Sequence, residues 1–198
     1  KVVKPRLNGE AYLIRYLDDF VVCFQYQKDA LNFKEVLNKR LKKFSLEIQP
    51  TKTKLVEFGR YAHKWAKKRN RKLQTVYFLG FTHFCTRNKA GNFMVGRKTE
   101  KSRQKRSIAN LSKVMQVIRH KPLKNQSIEI NQVLQGYYAY YGMGGNIKAL
   151  HRTYRFVENY WRKMLSSRSQ RGKVTWEKFQ KIKESFPLQK PRLYIPYV

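Results

Sequence analysis

The chain has 198 residues, enough for one domain of ordinary size or for one and a half small ones. Its 44 Lys and Arg stand against 12 Asp and Glu, a formal net charge of +32, and such an excess favours a polyanionic partner, nucleic acid above all. The chain contains no run of about 18 apolar residues, which excludes a membrane-spanning helix, and its four scattered His and two Cys form no metal-ligand pattern.

The charge is distributed unevenly along the chain. Residues 1–59 contain 12 basic and 7 acidic residues, whereas residues 60–198 contain 32 basic and 5 acidic ones. The sequence therefore predicts two functional zones, one that carries carboxylates and one that mainly holds phosphates. A solvated basic surface is the weaker interpretation, because surfaces that serve only solubility mix both signs of charge.

The first half alternates between strand and helix patterns. Apolar, β-prone runs at 12–16 and 20–24 flank Leu17-Asp18-Asp19, a pattern that predicts a β-hairpin with carboxylates at its tip. Apolar residues at helical spacing predict a helix over 28–45, with Asp29 in its first turn. Further predictions are short strands at 46–48 and 54–58, a basic helix or loop at 60–72, and a hairpin formed by 76–85 and 93–96.

The second half has only the helical period. Apolar residues recur every three or four positions in four segments, at 108–118, 130–141, 147–165 and 176–182. The second of these is expected to end at Gly142. The predicted fold class is therefore α+β, in which antiparallel hairpins and a helix are followed, from about residue 97, by an all-helical region.

Asp18 and Asp19 are two of the three Asp residues in the chain. Adjacent like charges cost free energy unless a cation neutralises them. Carboxylates at a tight turn suit Mg²⁺, which takes one or two protein carboxylates and keeps several waters. A plain polar turn is the alternative, and the pair alone does not decide between the two.

The residues around this turn resemble a known family. Residues 15–22 read R-Y-L-D-D-F-V-V, which resembles the Y-x-D-D catalytic hairpin of reverse transcriptase palms and, in particular, that of the group II intron branch. Residues 46–54, L-E-I-Q-P-T-K-T-K, resemble motif D of that family. Residues 78–81, F-L-G-F, resemble its primer-grip hairpin, and residues 134–141, L-Q-G-Y-Y-A-Y-Y, resemble the L-x-G-W-x-x-Y-Y core of its maturase-specific segment.

Two positions depart from the family pattern. Leu17 stands where this branch most often has Ala, and Tyr137 where it most often has Trp. Both are size-tolerant changes, although the bulkier residue at position 17 could alter contact with primer or template. The motifs occur in the family's order and span most of the chain.

The resemblance implies an RNA-directed DNA polymerase that uses Mg²⁺. Asp18 would be the metal-binding and catalytic aspartate, Asp19 its neighbouring partner, and Lys52 either a catalytic lysine that meets the nucleotide phosphates or a plain surface lysine. The family has a further metal-binding Asp on an earlier palm strand, and the one acid before Asp18 is Glu10. This chain is therefore expected to be inactive alone, lacking the fingers and the first part of the palm.

The resemblance also implies contacts to primer, template and intron RNA. Residues 1–96 would be a partial palm and residues 97–198 a helical thumb and maturase domain. Basic residues on the helix at 147–165 form a stripe beside its apolar stripe, and aromatic residues among them could stack on bases. The residues expected to bind nucleic acid are Tyr16, Phe78, Leu79, Gly80, Lys98, Arg103, Arg106, Lys148, Arg152, Arg155 and Arg162.

Two alternative functions remain open on these patterns. A non-catalytic RNA-binding splicing factor would explain the missing aspartate but not the carboxylate pair. A retron or CRISPR-associated reverse transcriptase is less favoured because of residues 134–141. The expected partners are intron RNA, the primer–template duplex and dNTP in the complete enzyme, with a homodimer possible in principle. The expected location is the bacterial cytosol, in association with the nucleoid, or an organelle, where Cys23 and Cys85 would be buried thiols rather than a disulfide.

Overall fold

The computed structural model describes residues 4–168 and 172–197. Two antiparallel-hairpin sheets and a set of helices follow one another along the chain, so the predicted α+β class is confirmed. The elements in chain order are a 3₁₀ turn at Lys4–Arg6, β1 (Ala11–Tyr16), β2 (Asp19–Phe24), α1 (Gln27–Lys42), α2 (Ala62–Lys68), β3 (Thr75–Phe78), β4 (Phe81–Arg87), β5 (Phe93–Thr99), α3 (Lys101–Val117), α4 (Leu123–Tyr141), α5 (Ile147–Ser166) and α6 (Trp176–Ser185).

The described residues form two compact units. The first runs up to Leu79 and includes Phe84–Met94, and the second consists of Gly80–His83 and the residues from Val95 onward. The boundary therefore passes through β4 and β5. The predicted assignment of residues 1–96 to a palm and 97–198 to a thumb and maturase domain remains a prediction.

In the first unit, β1 and β2 form a two-stranded antiparallel sheet in which Tyr16 pairs with Asp19. Helix α1 follows, and Asp29 in its first turn is buried. Its carboxylate accepts hydrogen bonds from the backbone N–H of Asn8 and Gly9 and from the Asn8 side chain, at 2.9–3.1 Å. Asp29 therefore ties the segment before β1 to the helix, in addition to the expected dipole interaction.

Two local predictions in this unit are wrong. Residues 46–48 and 54–58 form no strands, because no neighbouring backbone among the described residues offers them a ladder of hydrogen bonds. The apolar run 76–85 is two strands rather than one, since the chain reverses at Leu79-Gly80. Both residues have positive φ, +48° and +74°, as a type I′ two-residue turn requires. Strands β3, β4 and β5 lie in that order in one sheet.

The hydrophobic core lies in the second unit, among α3, α4, α5 and α6. The apolar stripes predicted from the helical period meet there, and the largest completely buried side chains are Trp161, Tyr138 and Phe179. The Trp161 and Phe179 rings pack edge to face with centroids 5.6 Å apart. The other buried members of this core are Leu111, Met115, Ile118, Ile130, Leu134, Tyr137, Leu150, Val157, Met164, Leu165 and Leu188.

Asn146, just before α5, is a buried polar side chain that joins three parts of this unit. Its carbonyl oxygen accepts the Thr99 backbone N–H at 2.7 Å, and its amide donates to the Thr99 hydroxyl and to the Tyr141 carbonyl at 2.8 Å. The end of β5, the end of α4 and the start of α5 are therefore held at one point by a side chain whose donors and acceptor are all paired.

No helix in the described part of the chain has the length and apolar character needed to cross a membrane. Both cysteines are free thiols, and Cys85 is buried as expected. The prediction that Cys23 is buried is wrong: it lies on β2, where no other element covers it, and is exposed.

The glycines after α4 allow the C-terminal segment to pack closely on the chain. Gly144 donates its N–H to the Ile195 carbonyl at 2.7 Å, and Tyr194 and Ile195 donate theirs to the Gly142 carbonyl. A Cβ atom at Gly145 would lie 2.8 Å from Cζ of the Tyr197 ring, and Gly145 also has a φ of +88°. The close approach of Tyr197 therefore requires glycine at position 145.

We expect Gly145→Ala to destabilise the chain more than Gly91→Ala does. Both glycines have positive φ, but a Cβ at Gly91 meets nothing within 4 Å. The strained backbone costs each variant about 1–2 kcal/mol, and the clash with Tyr197 adds about 1–3 kcal/mol at position 145 alone. Urea unfolding followed by circular dichroism measures both losses, and equal losses would contradict a close contact with Tyr197.

Candidate functional site

The carboxylate pair lies at the turn between β1 and β2, as the two apolar, β-prone runs around it predicted. Tyr16 ends β1 and pairs with Asp19, so Leu17 and Asp18 form the two-residue loop. Leu17 has a φ of +53° and is 72% exposed. A positive φ at the first loop position gives the twist that a tight hairpin needs, at a cost for a residue other than Gly.

Both aspartates of this turn are exposed and uncompensated. Among the described residues, no hydrogen bond or ion pair involves the carboxylate of Asp18 or Asp19. The nearest arginine in the chain, Arg15, uses its Nε to donate to the Leu17 carbonyl at 2.7 Å. Two adjacent negative charges are thus held at a tip without a protein cation, an arrangement that favours an external one.

The neighbouring acids are engaged elsewhere. Glu10 accepts a hydrogen bond from the Tyr12 hydroxyl at 2.8 Å, and this bond raises the pKa of Tyr12. The Asp29 carboxylate accepts hydrogen bonds from Asn8 and Gly9. In the ranges 4–168 and 172–197, no group of three or more His, Cys, Asp or Glu side chains is arranged to hold a metal ion.

The donor chemistry of the pair fits Mg²⁺ in part. Two carboxylates with open solvent around them match an ion that takes one or two protein carboxylates and completes its shell with water and substrate phosphates. A pair of ions would need at least one further oxygen ligand. Asp18 and Asp19 can therefore supply part of a metal centre but not a closed one.

Lys52 lies apart from the carboxylates in its contacts. It sits in an exposed turn, where its backbone N–H donates to the Gln49 carbonyl at 3.2 Å. No hydrogen bond or ion pair within the described ranges joins it to Asp18 or Asp19. Its predicted role toward a nucleotide phosphate stays a prediction.

The segment predicted to contact primer contains a glycine at a crowded position. A Cβ at Gly80 would lie 3.3 Å from the Tyr141 hydroxyl and 3.8 Å from Arg103 Cγ. Phe81 stacks on Tyr140 with ring centroids 6.1 Å apart, and burial raises the pKa of Tyr141. Gly80 therefore joins an aromatic cluster of the second unit. Of the other predicted contact residues here, Tyr16, Lys98, Arg103 and Arg106 are exposed and Phe78 and Leu79 are half-buried.

The basic stripe predicted on α5 is present over most of its length. Lys148, Arg152 and Arg155 are exposed on this helix, on the face opposite the buried stripe that contains Trp161, rather than directly beside that stripe as predicted. Arg162 differs from them: it is half-buried, donates to the Val174 carbonyl at 3.1 Å, and lies 4.5 Å from the centroid of the Trp176 ring. The contacts of Arg162 hold the segment before α6, and exposed Arg152 also donates a hydrogen bond to Oε1 of Gln104 on α3 at 3.4 Å.

The sequence reasoning missed an aromatic pair on α2. Tyr61 and Trp65 are exposed, and their ring centroids are 6.1 Å apart. The signal was present in the sequence as two aromatic residues four positions apart within a basic segment. It was overlooked because large aromatic side chains are ordinarily assigned to a core.

The N-terminal part of the chain is similar to a known enzyme family. Residues 2–83, which include the carboxylate turn, match the family model described as "Reverse transcriptase (RNA-dependent DNA polymerase)". The match covers less than half of the chain, and helices α3 to α6 lie outside it. No curated protein matches the chain. The match supports a nucleotidyltransferase family that acts on nucleic acid for the part that carries Asp18 and Asp19.

Proposed function

We propose that this chain is part of an RNA-directed DNA polymerase of the group II intron type, and that it also binds intron RNA as a maturase. The observation that carries the proposal is the uncompensated Asp18–Asp19 pair at a hairpin tip, within the residues similar to reverse transcriptases and in a chain of net charge +32. A chain that only bound RNA would gain nothing from two carboxylates that repel phosphates.

In the proposed site, Asp18 and Asp19 hold Mg²⁺ at the tip of the hairpin. When bound, the ion would supply Lewis-acid activation of a primer hydroxyl and charge stabilisation at the nucleotide phosphates. The backbone pairing of Tyr16 with Asp19 fixes the position of the turn relative to the strands, which keeps both carboxylates at the tip of the hairpin.

The site needs a further carboxylate from outside this chain. Glu10 accepts a hydrogen bond from Tyr12, Asp29 accepts hydrogen bonds from Asn8 and Gly9, and no third carboxylate among the described residues is grouped with the pair to complete a metal site. We therefore infer that the purified chain does not extend a primer by itself and that a polypeptide carrying the missing ligand restores activity.

The second unit is proposed to hold RNA and the primer–template duplex. Lys148, Arg152 and Arg155 share an exposed helix face, where they can contact successive phosphates while the opposite face packs in the core. A splicing factor without polymerase activity is the second candidate, favoured by the absence of a third metal-ligating group among the described residues.

A salt titration of RNA affinity tests the nucleic-acid part of the proposal. We expect the full chain to bind a structured RNA, and the triple variant Lys148→Ala, Arg152→Ala, Arg155→Ala to bind more weakly. Because each neutralised phosphate contributes about 0.9 to the slope of log K against log salt on a duplex, the triple variant should lower that slope by about 2–3. Fluorescence anisotropy at several salt concentrations gives both quantities.

The matched control removes the same charge from the first unit. Lys39→Ala, Lys42→Ala, Lys43→Ala takes three exposed lysines from the end of α1 and should leave the slope within about one unit of the parent value. Equal effects of the two triples would mean that net charge alone drives binding, and no binding by the parent chain would overturn the proposed function.

A further inference from the structure

Helix α2 buries its small apolar side chains and exposes the large ones, the reverse of the usual arrangement. Ala62 is 3% exposed and Ala66 half-buried, whereas the much larger Tyr61 and Trp65 are 59% and 41% exposed. A surface helix ordinarily turns its largest apolar side chains toward the core. Here the helix buries its alanines and leaves its two aromatic rings largely exposed, so the rings are free to contact another molecule.

The two rings form one surface. Tyr61 and Trp65 are one helical turn apart, and the Trp65 backbone N–H donates to the Tyr61 carbonyl at 3.1 Å, which fixes their spacing. Their ring centroids are 6.1 Å apart with 45° between the ring planes. We call this pair the aromatic face of α2. Its exposed ring area is suited to stacking with another planar group.

The charges around the aromatic face have one sign. Between positions 57 and 72 the single acid is Glu57, and it is already paired with Arg69. This segment therefore supplies no carboxylate for its other Lys and Arg side chains. The remaining exposed basic residues of the segment are Arg60, Lys64, Lys67, Lys68, Arg71 and Lys72.

We propose that the aromatic face of α2 is a stacking site for unpaired bases of a single-stranded nucleic acid, whose phosphates contact the surrounding lysines and arginines. This inference rests on the proposed nucleic-acid-binding function and adds a site to it. Exposed rings recognise the flat face of a base, which is accessible only where the strand is unpaired. Six exposed cations in the segment that carries the two rings match a polymer that alternates phosphates with planar bases.

A protein partner fits this surface less well. An apolar protein surface would have to cover charged lysines without supplying acceptors, which costs desolvation free energy. A strand of nucleic acid supplies one phosphate for each base, and the lysine ammonium groups that contact these phosphates remain partly hydrated. Contact with a protein and contact with a nucleic acid depend differently on protein concentration and on salt, so one experiment can separate the two.

Tryptophan fluorescence of the full chain reports on the site directly. Trp161 is completely buried and Trp176 is exposed, so Trp176→Phe leaves Trp65 as the one exposed tryptophan among the three. In this background we expect a single-stranded oligonucleotide of uridine or adenosine to quench Trp65 emission, since stacking places a base on the indole. The same length of RNA in a fully paired duplex should quench much less.

Affinity measurements with substituted rings complete the test. Trp65→Ala and Tyr61→Ala should each weaken single-strand binding by about tenfold to a hundredfold, the range measured for loss of one base–aromatic stack. Trp65→Phe should retain most of the affinity because it keeps a ring. The matched control is Phe44→Ala, which removes another exposed aromatic ring, with Arg40 over it, in the same unit and should change affinity less than twofold.

The outcomes separate this inference from the proposed function. If the parent chain binds RNA, but Trp65→Ala leaves the affinity unchanged and RNA does not quench Trp65, the stacking site alone is overturned. Parent chain that binds no RNA would overturn the proposed function. Emission changes that depend on protein concentration without RNA would assign the face to a protein contact and also overturn the stacking site. Thermal unfolding of each variant, expected near the parent value, verifies that the rings are lost without loss of the fold.

Discussion

Replacing Asp18 with Asn is expected to abolish primer extension by the completed enzyme, with a fall in rate of about a thousandfold or more. Asn keeps the size of the side chain but removes the negative charge, and metal-ion stabilisation of the transition state contributes several kcal/mol. Asp18 lies in an exposed two-residue loop without a protein partner among the described residues. Its loss therefore leaves the packing of the hairpin intact and acts on the chemistry.

The experiment combines the purified chain with a separately expressed polypeptide that carries the missing metal ligand. Incorporation of a single nucleotide on a primer–template duplex in Mg²⁺ is then timed for the parent, Asp18→Asn and Asp19→Asn. We expect the chain alone to be inactive and the combination to be active. Duplex affinity should be unchanged or higher in the variants, because each loses a charge that repels phosphate.

Glu35→Gln is the matched control, since it neutralises an exposed carboxylate on α1 away from the turn. It should leave the rate within about twofold of the parent, as expected for a surface change with no contact to the site. If the chain alone extends a primer and Asp18→Asn abolishes that extension, no metal ligand from outside the chain is needed. Extension that survives Asp18→Asn in the completed enzyme would refute the role of the pair.

Replacing Gln126 with Leu is expected to cause the largest loss of stability in the second unit. Gln126 is completely buried on α4, and its carbonyl oxygen accepts the Trp161 indole N–H at 2.8 Å. Its amide donates to the carbonyls of Arg119 and Lys121, at 3.0 and 2.8 Å. One side chain therefore bonds three polar groups and joins the turn between α3 and α4 to α5.

Leu is close to Gln in size but can make none of these bonds. The Trp161 indole N–H is then buried without a partner, at a cost of about 1–3 kcal/mol. The Arg119 and Lys121 carbonyls still accept hydrogen bonds from Arg168, so each bond lost there costs only about 0.5–1.5 kcal/mol, and the total loss should be about 2–6 kcal/mol. That is comparable with the whole stability of many domains, about 5–15 kcal/mol. Urea unfolding followed by circular dichroism should show a large shift of the midpoint, with the buried Trp161 as a fluorescence probe of the same unit.

Gln116→Leu is the control for this prediction. Gln116 lies on α3 and donates one hydrogen bond, to the Tyr160 hydroxyl at 3.0 Å, but it is exposed and water can replace that bond. Its loss should cost less than about 1 kcal/mol. Similar losses at the two positions would contradict the view that Gln126 is a polar junction of the core.

The sequence by itself determined the parts of the fold that depend on local pattern. The apolar period of 3–4 residues located α3 to α6, and two apolar, β-prone runs around a polar tip located the hairpin that carries Asp18 and Asp19. The stripe on α5 likewise separated buried Trp161 from exposed Arg152. These features follow from residue spacing along one element, because spacing alone decides which side chains share a face.

The tertiary structure decided which faces are covered and which polar groups are paired. Residues 46–48 are strand-like in composition but remain irregular, Cys23 is apolar in context but exposed, and Asp29 bonds Asn8 and Gly9 rather than only its own helix. The exposed rings of α2 belong to the same class. Burial and hydrogen bonding require a second element at the right place, and that placement is a property of the whole chain that no local window of the sequence contains.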